Sequence, residues 1–338
     1  MKCLNFGPCY SKSNKTNLGG IVVLFENWVE FCDSQKEDLI IIDTNKSNYS
    51  GKFYAYIKIL YQFFTYIRNV DCICLHGTFK DYLFLAPILV FFSRLSGKKI
   101  ILRKFAGNFD VIYSNSNIFF RSLLHYVLKN ATLLFWETKK LVEFGKRINE
   151  NSYWFPNVRY KQQPKRSFKF SNHFLFLSQV KKEKGIDVLV EAFQKIDSDS
   201  HVDIFGPLFN YKYEDLQGKN YSYVKALKPE EVTEVLKQYD VLILPTYWSG
   251  EGYPGIIIEA LSVGLPVIST NWGGIPEILT DGENGFIVAP KDVDQLVDAI
   301  KRMDAVDYKA MSLNALKSFE NFDTEKVNKR ILSLLKSI

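Results

Sequence analysis

Short apolar runs alternate with longer stretches in which hydrophobic residues recur every three or four positions. The short runs read as buried strands and the longer ones as amphipathic helices. In the first half, strands are predicted at Lys2–Phe6, Leu39–Ile42, Cys72–Leu75, Lys99–Leu102 and Thr132–Phe135, with helices at Gly20–Cys32, Phe53–Ile67, Tyr82–Leu95 and Phe119–Leu128. The second half repeats the style. Strands are predicted at Phe174–Leu177, Val202–Phe205, Val241–Leu244, Pro266–Ser269 and Gly285–Val288, and helices at Gly185–Ile196, Lys228–Gln238, Ile256–Val263 and Asp292–Met303. A further amphipathic helix covers Thr324–Ser337. This alternation predicts an α/β protein with parallel sheets. The basic, Pro-containing stretch Arg159–Asn172 reads as the linker between two domains, giving domains over 1–160 and 161–320 and a closing helix over 321–338.

Length and composition agree. A chain of 338 residues can bury two cores, and 47% hydrophobic with 24% charged residues is a globular balance, not a disordered one. The longest uncharged apolar run, Tyr82–Phe92, has 11 residues and is broken by Pro87. A spanning helix needs roughly 20, so no transmembrane helix is expected. The N-terminal MKCLNFGPCY has no secretory apolar run. Five cysteines, an odd number with no CxxC, predict a reduced, cytoplasmic protein with buried thiols and neither a disulfide framework nor a zinc site. The net charge of +6 is unevenly spread. Residues 1–165 carry 23 Lys and Arg against 12 Asp and Glu, or +11, and residues 166–338 carry 20 against 25, or −5. Such asymmetry points to a partner or surface that is negative on one side. No nucleic-acid motif accompanies the basic half, so no nucleic-acid partner is expected.

Three strand-to-helix loops carry candidate chemistry. In Val241–Leu279, a strand ends near Pro245, a Gly-rich turn follows, and a helix opens near Pro254–Gly255. Free N–H groups at such a helix start make an anion site. Gly255, Glu259 and Ser262 share one face of that helix, and Glu259 reads equally well as a solvent-facing residue. GEGYPG is formally GxGxxG, but it lies late in its half. The following strand, PVIST, ends at Asn271 without the acid that a dinucleotide ribose needs, so an NAD site is not favoured. In Phe176–Phe193, Lys184-Gly185 opens a helix directly after a strand, where a lysine can meet phosphate as a point charge. A solvated loop is the plainer reading for any single lysine there. In Thr16–Phe31, Gly19-Gly20 allows close backbone approach to an anion, or simply ends a flexible loop. Ligands of open α/β sheets bind beyond the carboxyl ends of the strands, where all three loops fall.

EGYPGIIIE, with Glu251 and Glu259, followed by ALSVGLPVISTNWGGIPEIL and DGENGFIV, resembles the donor-side signature of the retaining glycosyltransferases of family four, which have the GT-B fold. KEKGIDVLVEAF, FGP at Phe205–Pro207, FPN at Phe155–Asn157 and the N-terminal GG follow in the family's order. The match is strongest over residues 155–290. The resemblance implies two Rossmann-like domains with parallel sheets facing each other across a cleft. The N-terminal one would bind the acceptor, the C-terminal one the nucleotide sugar, and the last helix would cross back to the N-domain. Glu251 would contact the transferred sugar and Glu259 the ribose. Lys184 would neutralise the leaving diphosphate, with the backbone at Gly252, Gly255, Ile256, Ile257, Gly19 and Gly20 contributing to the donor site. The implied activity is metal-independent transfer of a hexose from a UDP or GDP sugar to a glycan or polyprenyl-diphosphate-linked acceptor, in capsule, O-antigen or exopolysaccharide synthesis. No cofactor is implied beyond that co-substrate.

Two departures from the family stand out. Its usual Gly-Arg pair is Ser178-Gln179 here, so Gln179 brings a hydrogen-bond donor but no charge, and Lys181 or Lys182 would supply the missing cation. The His often found after the fourth strand is replaced by Arg103 and Lys104. His76, in LHGTF, matches an earlier element and reads more readily as structural than catalytic. These three are candidates for the acceptor or sugar side. The departures keep open a nucleotide-sugar-binding protein or an epimerase without transfer. Asp197-Ser-Asp199 and Asp292-Val-Asp294 are DxD sequences, one in a polar loop and one opening a helix, so no metal site is expected. The aromatic, basic segments FYAYIKILYQFFTYIR and FFRSLLHYVLKN read either as helix core with solubilising lysines or as a face for an anionic membrane, on the inner leaflet of the plasma membrane.

Overall fold

The computed structural model describes residues 1–10, 20–165, 167–197 and 199–338. The chain forms two units, one of residues 1–156 with 327–338 and one of residues 157–326. Each is built on a six-stranded, wholly parallel sheet.

In the N-terminal unit the strands are β1 (Cys3–Gly7), β2 (Leu39–Asp43), β3 (Cys72–Gly77), β4 (Lys99–Lys104), β5 (Leu133–Trp136) and β6 (Ser152–Trp154), in the order β2-β1-β3-β4-β5-β6. The central β3 is buried along its whole length, as expected for a parallel strand covered on both faces. The helices are α1 (Gly20–Ser34), α2 (Lys52–Tyr66), α3 (Phe79–Phe84), α4 (Ala86–Leu95), α5 (Phe109–Asn115), α6 (Ile118–Lys129) and α7 (Lys139–Lys146). One core lies under α2, α4, α6 and α7, where Phe63, Leu89, Leu124 and Leu141 meet Phe6, Leu75, Leu102 and Trp136. The single helix expected over Tyr82–Leu95 is two. Pro87 lacks the N–H that a continuing helix would need and its ring clashes with the carbonyl one turn back, but it suits the first turn of α4. Helices α6 and α7 start at side-chain caps, Asn117 and Thr138.

The C-terminal unit carries β7 (His173–Leu177), α8 (Ile186–Lys195), β8 (His201–Phe205), β9 (Tyr221–Lys225), α9 (Val232–Leu236), β10 (Val241–Leu244), α10 (Gly255–Ser262), β11 (Val267–Thr270), β12 (Gly285–Val288), α11 (Val293–Arg302) and α12 (Tyr308–Phe319). Its sheet order is β12-β11-β10-β7-β8-β9. The last helix, α13 (Thr324–Lys336), begins in this unit and continues into Val327–Ile338 of the first, where Lys336 pairs with Glu37 at 2.5 Å and Arg330 donates to the Trp154 carbonyl. Among the described residues no helix is long and apolar enough to cross a membrane.

The stretch read as a linker is instead built into the C-terminal unit. Lys165 is 7% exposed, and its ammonium donates to Asp240 (3.2 Å), the Tyr239 carbonyl (2.9 Å) and the Tyr308 hydroxyl (2.8 Å). The other Asp240 oxygen accepts from Ser171 and from the His173 amide. A fully satisfied buried pair of this kind registers the incoming chain against the start of β10. Removing either partner strands a buried charge, which costs about 3–5 kcal/mol.

The cysteine reading needs a correction. Cys3 and Cys72 are bonded to each other. They are register partners on neighbouring parallel strands, with Cα atoms 4.9 Å apart, although 69 positions separate them in sequence. A pairing set by strand register leaves no mark in cysteine spacing. Cys9, Cys32 and Cys74 are free, the last two buried. Unfolded protein alkylated without reductant is therefore expected to take up three labels per chain, and after reduction five, read by intact mass.

Candidate functional site

The loops leaving β7 and β10 meet in the C-terminal unit. Lys184 lies in a single 3₁₀ turn, Lys182–Lys184, and Gly185 follows in the left-handed conformation at φ 83°. A Cβ at Gly185 would run into the Pro245 carbonyl at the end of β10, so glycine is needed both for its φ and for the close approach of the two loops. The Tyr247 amide donates to the Glu183 carbonyl at 2.9 Å and stitches the loops together.

This closeness brings Lys184 to Glu251. The two are 9% and 5% exposed and form an ion pair at 2.6 Å. Thr246 donates to the same carboxylate oxygen at 2.7 Å. Trp248 sits beside them, with the Lys184 ammonium 4.8 Å and that of Lys181 5.1 Å from its ring centre. The Trp272 indole N–H holds the Trp248 carbonyl at 2.8 Å, and Gly273, at φ 57°, lets its loop pass against the Glu251 backbone. Glu251 and its neighbours are thus fixed from both sides.

Helix α10 starts after Pro254, its N-cap. The Ile257 N–H donates to the Pro254 carbonyl at 3.1 Å. Of the three candidate amides, those of Gly255 and Ile256 lead the helix, and that of Ile257 is engaged within the turn. Gly252 is buried in the turn before it. Glu259, one turn in, is neither free nor simply solvated: Arg159 pairs with it at 2.5 Å. The Arg159 guanidinium lies over Gly255, where a Cβ would strike it. Arg159 is itself anchored by backbone bonds to Phe322 and Thr324.

Gln179 is exposed just after β7, and Lys182 is exposed as well. Lys181 is the one of the two proposed substitute cations that approaches Lys184, through Trp248. Gly20 opens α1 and is exposed, and Gly19 lies outside the described residues. Thr246, Trp248 and Arg159 were missed in the sequence. Thr246 and Trp248 stand inside the stretch Val241–Leu279 singled out for its chemistry and could have been weighed. Arg159 gave no signal beyond its charge.

In the N-terminal unit, His76 and Arg103 are register partners on β3 and β4 and point to one face of the sheet. Both are buried, among Trp28, Phe105, Phe155 and Ile331. Arg103 stacks on Phe155 at 3.4 Å, with its Nε and one terminal nitrogen unpartnered, and Nδ1 of His76 is also without a partner. Burial, aided by Arg103, pushes the His76 imidazole well below its ordinary range and keeps it neutral. Lys104 points to the opposite face, over Phe109. Burial lowers Arg103 to about 9 and Lys104 to about 8, against the pull of Glu137. The three residues divide between two faces, and none is exposed.

Three of the four DxD acids have partners. Asp292 caps α11, Asp294 pairs with Lys195 and Asp197 with Lys219, while the Ser between Asp197 and Asp199 lies outside the described residues. Among the described residues, the cluster of potential metal ligands is Cys3, Cys72 and Cys74, two of which are spent on their mutual bond.

Residues 159–311 match the family model described as glycosyl transferases group 1. This region belongs to that family. A curated relative, the putative colanic acid biosynthesis glycosyltransferase WcaL of Salmonella typhimurium, is 26% identical over 185 residues, 48% of this chain and 44% of the relative. The alignment thus spans less than half the length of that glycosyltransferase. Among solved structures, sucrose-phosphate synthase from Thermosynechococcus elongatus superposes with a TM-score of 0.77 at 15% identity over 100% of this chain and 99% of its own. HepE from Anabaena, in complex with UDP, gives 0.75 at 13% identity over all of both chains. The fold is that of the GT-B glycosyltransferases, with two Rossmann-like units.

The buried cations of the N-terminal unit make a pH prediction. Between about pH 8 and its ordinary 10.5, Lys104 is deprotonated in the folded chain and protonated in the unfolded one. The unfolded state then binds more protons, so stability rises with pH, by up to about 1.4 kcal/mol per unit for one group. The free thiols Cys9, Cys32 and Cys74, raised above their ordinary 9.0 by burial, pull the other way over the same range. The Lys104 contribution is therefore read as a difference: from pH 8 to 9.5 the unfolding temperature of Lys104→Met is expected to fall relative to that of the wild type.

Proposed function

We propose that this chain is a retaining glycosyltransferase that moves a sugar from a nucleoside-diphosphate sugar, of UDP or GDP type, to a glycan or lipid-linked glycan in cell-surface polysaccharide synthesis. The observation that carries the reading is the buried Lys184–Glu251 pair at the loops beyond β7 and β10, beside the start of α10. Breaking the bond from sugar to diphosphate gathers negative charge on the leaving group. Groups already in place stabilise that charge best, because nothing must reorganise as it forms. Lys184 supplies a fixed cation, Lys181 a second, and the Gly255 and Ile256 amides supply dipoles at a helix start. Glu251 orients Lys184 and offers its carboxylate to sugar hydroxyls. Glu259, turned by Arg159, offers its remaining oxygen to the ribose. The charge is met by side chains and amides already in place, so the reaction as proposed needs no metal.

Removing one such stabilising group costs about 2.7–4 kcal/mol, or 10²–10³-fold in turnover. Lys184→Ala is expected to lower turnover on saturating nucleotide sugar by that factor. Because the variant leaves Glu251 buried and unpaired, Lys184→Met combined with Glu251→Gln serves as the folding control: it should keep the wild-type unfolding temperature and be equally inactive. Unchanged turnover of a folded Lys184→Ala protein removes the assignment. In the same assay EDTA is expected to leave the wild-type rate unaltered, and a loss restored by manganese contradicts the metal-free mechanism.

A further inference from the structure

Helices α2, α4 and α6 cover one side of the N-terminal sheet. Their inner faces are satisfied: Ile59 and Phe63, Leu89 and Val90, and Leu124 and Val127 lie in a common core. Their outer faces carry a second set of large apolar side chains. Phe53 is 79% exposed, Tyr61 72%, Leu95 73%, Ile118 75% and Phe119 69%. Scattered single hydrophobics on a surface need no explanation, but here other rings of the same helices touch from one element to the next. Phe64 of α2 meets Phe92 of α4 at 4.9 Å, Tyr56 meets Phe84 at 6.4 Å, and α4 packs on α6.

The charge on these helices is one-sided. Together they carry Lys52, Lys58, Arg94, Arg121 and Lys129, all exposed, and no carboxylate. The acids of the intervening α3 and α5 are neutralised, Asp81 by Lys46 at 3.2 Å and Asp110 by Lys140 at 2.8 Å. Protein interfaces share the rings and arginines of this face but are depleted in lysine, and three of its five cations are lysines, with no carboxylate among them. The face matches the boundary of an anionic bilayer, where rings enter the headgroup region and cations meet lipid phosphates.

We propose that the outer faces of α2, α4 and α6 form a docking surface for an anionic lipid bilayer. The inference rests on these helices and not on the donor-site reading. It places the protein on the membrane as a peripheral protein, held by several rigid helices and not by an inserted span. Rings and cations act together, so the loss of either set is expected to release the protein.

The test is flotation of the full chain with vesicles at 0.1 M salt. Binding is expected to vesicles of phosphatidylcholine with 30% phosphatidylglycerol, and to be at least tenfold weaker to phosphatidylcholine alone. The triple variants Phe53→Ser, Tyr61→Ser, Phe119→Ser and Lys52→Gln, Lys58→Gln, Arg121→Gln should each reduce binding at least tenfold at an unchanged unfolding temperature. Lys184→Ala should float as the wild type does, which separates this surface from the donor site. Three outcomes overturn the proposal: no binding to anionic vesicles, full binding by either triple variant, or a self-associated wild type that the ring variant turns into a non-floating monomer.

Discussion

The C-terminal unit depends on one close approach, that of the backbone at Gly185 to the Pro245 carbonyl. Glycine at φ 83° permits it, and everything that gathers at the loops follows from it. The approach brings Lys184 within 2.6 Å of Glu251, puts Thr246 on the same oxygen, and leaves Trp248 beside both lysines. A buried ion pair is weak support for stability, since desolvation offsets the attraction. Its retention here makes more sense as preorganisation: a cation fixed in low dielectric acts strongly on any charge that forms next to it.

The parallel α/β pattern was legible because buried parallel strands are nearly uninterrupted apolar runs. Cys72–Gly77 and Val241–Leu244 stand out for that reason. The edge strands β6 and β9 did not, because Ser152–Trp154 and Tyr221–Lys225 are short and partly polar, as edges tend to be. Helix α7 is brief, and its apolar positions fit no long periodic window. The candidate residues Lys184, Glu251 and Glu259 were picked out by their motif. Their partners were not: Arg159 lies 100 residues from Glu259, and the Cys3–Cys72 bond depends on strand register. Local pattern specifies elements, whereas such pairings exist only once the elements are assembled.

The N-terminal unit shows the opposite relation between charge and burial on its two surfaces. Inside, Arg103 and Lys104 are buried at the ends of central strands, Arg103 with two nitrogens unpartnered and Lys104 donating to the Phe105 carbonyl, and burial lowers the basicity of both. A cation left this way costs stability, and stacking on Phe155 and Phe105 returns only part of it. Outside, α2, α4 and α6 expose rings with lysines and arginines that have no acidic neighbour on the same helices. The basic excess read in the first half of the sequence is therefore of two kinds, a few buried cations and a larger exposed set.

Gln179 sharpens the question of charge at the donor loops. A glutamine there removes a positive charge from a place where the family carries one, yet the C-terminal unit has not lost the cation. Lys181, two residues on, reaches the same indole as Lys184. Two ammonium groups on one ring repel each other, and the Glu251 carboxylate pairs directly with only one of them. An arrangement with two cations, a single carboxylate and an electron-rich ring is short of negative charge by one. On the proposed function a diphosphate is the anion that meets this excess, with Lys181 standing in for the cation that Gln179 does not carry.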